Sequence, residues 1–156
     1  MHAYKTPSAN LTPPQQIPFK PVKAILIGLL YTIVLMLFVS SVLLVTFIFI
    51  LDLNNADPTV YETVIPKSVS YLITDILISF VILYLAGRAA CKHAPNQEIK
   101  YGLILSVLTL LIYVPFSYSG DTISNYPLWY ILISLANVFI AIYFGAKSRR
   151  SIRSRQ

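Results

Sequence analysis

Residues 68–90 read SVSYLITDILISFVILYLAGRAA. The stretch is apolar along nearly its whole length, and between Ser68 and Gly87 it carries a single charge, Asp75. A helix of this length rises about 34 Å at 1.5 Å per residue, enough to cross a hydrocarbon core of about 30 Å. An ionised side chain held in that core costs several kcal/mol. Asp75 therefore needs a partner or a task, and the rest of the chain is read around that requirement.

Three further apolar runs flank the first. Residues 24–51 form an uncharged run of 28 residues between Lys23 and Asp52, about 42 Å as a helix, which must tilt or project beyond the bilayer. A third span covers about 101–118, with Pro115 loosening its end, and a fourth about 127–146. Of the 156 residues, 56% are hydrophobic and 12% are charged, about half the charged share of an average soluble domain. The pattern predicts an all-α integral membrane protein, a four-transmembrane-helix antiparallel bundle, with residues 23–147 as its membrane domain. Residues 1–22 hold five of the ten prolines and are expected to be a flexible proline-rich cytoplasmic arm; residues 148–156 are expected to be a basic cytoplasmic tail. The long first span, with no small-residue cleavage site after it, is expected to act as an uncleaved signal anchor.

Charge placement sets the expected orientation. With both termini cytoplasmic, eleven of the twelve Lys and Arg residues fall on the cytoplasmic side and only Lys67 lies outside, while Asp52, Asp57, Glu62 and Asp121 occupy the outer loops. Three or five spans would destroy this asymmetry, which follows the positive-inside rule. The outer segments have no cysteine and no glycosylation sequon, and the loops are short. These features point to a bacterial inner membrane.

Each span also carries one stripe of small or weakly polar residues at helical spacing. They are Gly28, Thr32, Met36 and Ser40; Asp75, Ser79, Ala86 and Ala90; Gly102, Ser106, Thr109, Tyr113 and Ser117; and Ser134, Asn137, Ala141 and Gly145. Lipid offers no hydrophobic drive for helices to associate, so such stripes mark where helices touch. Counting residues inward from the outer ends places Asp75, Tyr113, Ser134, Asn137 and one of Ser40 or Ser41 in a shared polar layer.

Two tasks suit Asp75. It can fix helix register through a hydrogen bond, with Tyr113 or Asn137 as the expected partner, or it can be the titrating or cation-binding group of a small transporter or channel. The first underlies the leading expectation: a non-enzymatic membrane protein acting through helix contacts, as a homo-oligomer or as an accessory subunit of a larger complex. The cation-coupled transporter is the alternative.

The remaining features are read more plainly. Arg149, Arg150, Arg153 and Arg155 are expected to contact anionic lipid headgroups, each such contact contributing about 1 kcal/mol. The basic tail lacks interleaved aromatics, which argues against nucleic acid. His93 and Cys91 sit in or beside a loop as a solvated imidazole and a reduced thiol, S-acylation being the alternative for Cys91 in a eukaryote. Residues 52–67, with a proline on each side of TVYETVI, are expected to hold a short interfacial helix or strand. No metal or cofactor site is expected, because catalytic and ligand motifs are absent.

Overall fold

The computed structural model describes residues 20–51, 53, 58–117 and 125–153. Within them the elements are α1 (Pro21–Ile50), α2 (Pro58–Val64) followed by a 3-10 turn (Ile65–Lys67), α3 (Val69–Cys91), α4 (Glu98–Ser117) and α5 (Leu128–Arg153). No strand occurs among the described residues. Helices α1, α3, α4 and α5 are each long and apolar enough to cross a membrane, which marks an integral membrane protein. The expectations for residues 1–19, Asp52, Asp57, the 118–124 loop and Arg155 lie outside the described residues.

Several boundaries differ from the sequence reading, each for a local reason. Helix α1 begins at Pro21, not after residue 23. Proline suits the first helical turn, where its missing N–H is not needed and its fixed φ is already helical. Helix α4 begins at Glu98, ahead of the apolar run, because an acidic residue is favourable at a helix N-terminus. Helix α5 runs on through Lys147, Ser148 and Arg149 to Arg153, so most of the expected tail is helix. Its 26 residues rise about 39 Å, and its last turns project beyond a 30 Å core. Helix α3 starts where the sequence suggests: the Ser68 hydroxyl accepts from the Tyr71 N–H at 3.4 Å, capping the first turn. Residues 58–64 form a helix and not a strand.

The small-residue stripes face inward. Gly28, Thr32, Ala86, Ala90, Gly102, Ser106, Thr109, Ser134, Asn137, Ala141 and Gly145 are all buried, while large aliphatic and aromatic residues such as Leu30, Phe38, Leu77, Leu111 and Leu132 are exposed. In lipid this inversion is what close packing demands, since backbones approach only where side chains are small. Two contact clusters hold the bundle. One gathers Leu43, Phe47, Ile65, Tyr71, Leu72 and Tyr130 near the Ser68 end of α3. The other gathers Leu83, Ala90, Leu105, Val138, Ala141 and Ile142 toward the Cys91 end.

The α3–α5 crossing is the closest. A Cβ built on Gly87 would stand 2.6 Å from the Ile142 carbonyl oxygen, and one on Gly145 would run into the Tyr84 carbonyl. Both obstacles are backbone, so neither can rotate away. Below the crossing the Tyr84 hydroxyl donates to Ser148 Oγ at 3.0 Å. Helix α1 is the peripheral member: 11% of its most apolar window is buried, against 39% for α5.

Candidate functional site

The polar groups of the bundle interior form two arrangements instead of one layer. The first is a link between α3 and α5. Tyr130 Oη donates to Asp75 Oδ2 at 2.7 Å, and two turns further along α5 Asn137 Nδ2 donates to the Ile76 carbonyl at 3.1 Å. The expected partner of Asp75 was Tyr113 or Asn137; the structure gives it Tyr130 and sends Asn137 to backbone.

Tyr130 is the third residue of α5. It is 5% exposed, stacked on Tyr126 at 5.3 Å between ring centroids and edge-on to Trp129 at 6.1 Å. One signal could have found it. Residue 130 lies four before Ser134, on the same stripe that runs through Asn137, Ala141 and Gly145.

The second arrangement is a cavity of about 220 Å³ lined by all four long helices and open on one side. Its walls are mainly aliphatic, from Leu29, Ile33, Met36 and Leu37 on α1, Leu83 on α3, Ile112 on α4 and Val138 on α5. Its polar lining comes from Thr32, Ser79, Thr109, Tyr113, Ser134 and Asn137. Thus the structure brings Tyr113, Ser134 and Asn137 together, adds Thr32, Ser79 and Thr109, and leaves Asp75 outside the lining.

Ser40 and Ser41 take no part in this cavity. Ser41 is exposed and donates to the Leu37 carbonyl at 2.7 Å on its own helix, which satisfies a hydroxyl facing lipid. Ser40 is half-buried and absent from the lining. The length of α1 is the reason, for residue counting cannot place the far half of an overlong helix in depth.

Two of the cavity hydroxyls differ from the others in the interior. Thr32 Oγ1 donates to the Gly28 carbonyl at 2.9 Å, and Ser106 Oγ to the Gly102 carbonyl at 3.0 Å. Thr109 Oγ1 and Ser134 Oγ are buried without a hydrogen-bond partner. An unpaired buried hydroxyl costs about 1–3 kcal/mol, more than a helix interior needs to spend on serine or threonine when alanine or valine would pack there.

At the other end, the turn between α3 and α4 is tied down on both sides. Asn96 takes φ 69°, the left-handed conformation that asparagine tolerates better than most residues. The Lys20 N–H donates to the His93 carbonyl at 3.1 Å, joining the start of α1 to this turn. Partial burial and the neighbouring Lys23, Lys92 and Lys20 charges push the His93 imidazole below its ordinary value. Cys91 is 2% exposed and its Sγ donates to the Glu98 carbonyl at 3.1 Å, so the folded chain presents no accessible thiol there for acylation.

Of the arginines expected at the headgroups, Arg150 is exposed and Arg149 half-buried at the end of α5. No group of three metal-ligating side chains occurs among the described residues. The cavity therefore offers shape, aliphatic contact and hydroxyl donors, which is binding chemistry. Comparison with protein-family models, with curated proteins and with solved structures gave no match.

Proposed function

We propose that this chain is a small non-enzymatic membrane protein that acts through helix–helix contacts, as a homo-oligomer or as an accessory subunit of a larger membrane complex. The observation that carries the reading is the unequal engagement of the four spans. Helix α1 keeps only Ala24, Gly28, Thr32, Leu43 and Phe47 buried and turns Leu26, Leu30, Val34, Phe38, Val45 and Phe49 outward. The other three spans have a larger share of their residues buried.

The finer topology belongs to the same proposal. Consecutive spans run antiparallel, with both termini cytoplasmic and the membrane a bacterial inner membrane. Support for the antiparallel order comes from the pairing of Gly28 with Ala90 and of Phe47 with Tyr71 at the opposite ends of α1 and α3. Support for the orientation comes from the eleven basic residues it gathers on one side, where Arg149, Arg150, Arg153 and Arg155 meet anionic headgroups. A nucleic-acid role has no such support.

Asp75 serves as a register link between α3 and α5 in this reading. The cation-coupled transporter gains nothing from the cavity, whose lining does not include the carboxylate.

Disulfide cross-linking tests the reading. Single cysteines at Leu30 or Phe38, in a Cys91→Ala background in native membranes, are expected to give an adduct at twice the chain mass or at the summed mass of the chain and a second subunit. Cysteines at Val81 and Leu132, on outward faces of α3 and α5, are the comparison. Absence of any adduct through α1 under conditions that cross-link a known membrane dimer would sink the proposal.

A further inference from the structure

The cavity combines three properties that holding the bundle together does not require. Its volume of about 220 Å³ exceeds the roughly 150 Å³ of an engineered apolar cavity that takes up benzene. Its lining includes two hydroxyls without partners, on Thr109 and Ser134, whose residues are only 4% and 8% exposed. Its opening is defined by lining residues that are themselves exposed, Ile33 and Leu37 on α1 at 41% and 56% and Ile112 on α4 at 45%. Ile33 and Leu37 lie near the middle of α1 and Ile112 lies within the apolar span of α4, one turn before its end, so the mouth lies between α1 and α4 and faces lipid.

We propose that this cavity binds the ring-sized end of a neutral, lipid-soluble molecule. An oxygen on that end accepts hydrogen bonds from Thr109 and Ser134, and an apolar tail leaves between α1 and α4 into the bilayer. Neutrality follows from the lining, which offers no ionised group to offset the desolvation of a charged ligand. The oxygen follows from the hydroxyls, which a plain hydrocarbon chain would leave unpaired. The lateral route follows from the exposed aliphatic rim, since entry through either polar end would pass one of the two packed apolar clusters. The site lies within one chain and does not depend on how copies or partners assemble.

Two probes of the same carbon skeleton that differ only in a carbonyl against a methylene test it, 4-decylacetophenone and 1-decyl-4-ethylbenzene, bound to the full chain in phosphatidylcholine nanodiscs and counted by native mass spectrometry. The ketone is expected to bind one per chain and about tenfold more tightly than the hydrocarbon. Thr109→Val and Ser134→Ala are each expected to weaken the ketone about fivefold and leave 1-decyl-4-ethylbenzene unchanged. Both variants remove unpaired groups and are expected to melt no lower than the parent. Ser134→Leu, which fills the space, is expected to abolish binding of both probes. Equal affinity for the two probes, no ketone binding, or an unchanged ketone affinity in the Thr109→Val/Ser134→Ala double variant would each overturn the site. Should Ser134→Leu fail to fold, the double variant still decides.

Discussion

Tyr130 Oη lies 2.7 Å from Asp75 Oδ2 and donates to it, so the charge that stood alone in the α3 sequence is joined to the first turn of α5. Interhelical hydrogen bonds of this kind typically contribute about 0.5–2 kcal/mol in membranes. Tyr130→Phe is expected to cost about 1–3 kcal/mol, because the carboxyl loses its donor while remaining in place. Asp75→Asn, which keeps an acceptor, is expected to be tolerated; Asp75→Leu is expected to lower stability by an amount close to that of Tyr130→Phe. Unfolding by denaturing detergent, measured through the double-mutant cycle, checks this. Additive effects of Asp75→Leu and Tyr130→Phe would show that the two side chains are not coupled.

The α3–α5 crossing sets a second expectation. Gly87→Ala would place a methyl group 2.6 Å from the Ile142 carbonyl oxygen, an obstacle that cannot move without the helix. A loss of about 1–3 kcal/mol is expected for Gly87→Ala and for Gly145→Ala, the ordinary cost of overpacking. Because both act on one crossing, the double substitution is expected to cost less than the sum. Thermal unfolding in detergent micelles measures it, and parent-like melting of either single variant would mean the helices are not this close.

Orientation is best read through Lys92 and not through the native thiol. Cys91 is buried against the Glu98 carbonyl and is expected to react slowly with maleimide from either side. In a Cys91→Ala background, Lys92→Cys and Lys67→Cys replace exposed residues at opposite ends of α3. A membrane-impermeant maleimide is expected to label Lys67→Cys in intact cells, and Lys92→Cys only after the membrane is opened. The reverse pattern would invert the topology.

His93 gives the bundle a pH dependence of known sign. Partial burial comes first among the causes, followed by the Lys23, Lys92 and Lys20 charges, and together they hold its folded value below the ordinary one of about 6.5. The folded state thus prefers the neutral imidazole. Its contribution is complete above about pH 6.5 and is lost as pH falls below that value. The unfolding midpoint is expected to drop between pH 7.5 and 5, and His93→Gln is expected to flatten the drop. The effect is small because the ring is mostly solvated, and raising the salt concentration is expected to shrink it further.

The sequence alone determined the four spans and the face that each turns inward. Long uncharged runs can satisfy their backbone polar groups in hydrocarbon only as helices, and the stripes running through Gly28, Ala86, Gly102 and Ala141 mark surfaces where such helices can approach closely. Both facts are local in the chain, so both could be read from it. Which polar group meets which was decided only by the tertiary structure. Asp75 accepts from Tyr130, Asn137 reaches the Ile76 backbone, Ser41 faces outward, and Thr109 and Ser134 both line a cavity. The physical reason is that partner choice depends on the axial offset and rotation of one helix against another. Those are set by contacts such as Gly87 on Ile142 and Gly145 on Tyr84, which lie far apart in sequence and fix positions to a fraction of the 5.4 Å turn that a residue count resolves.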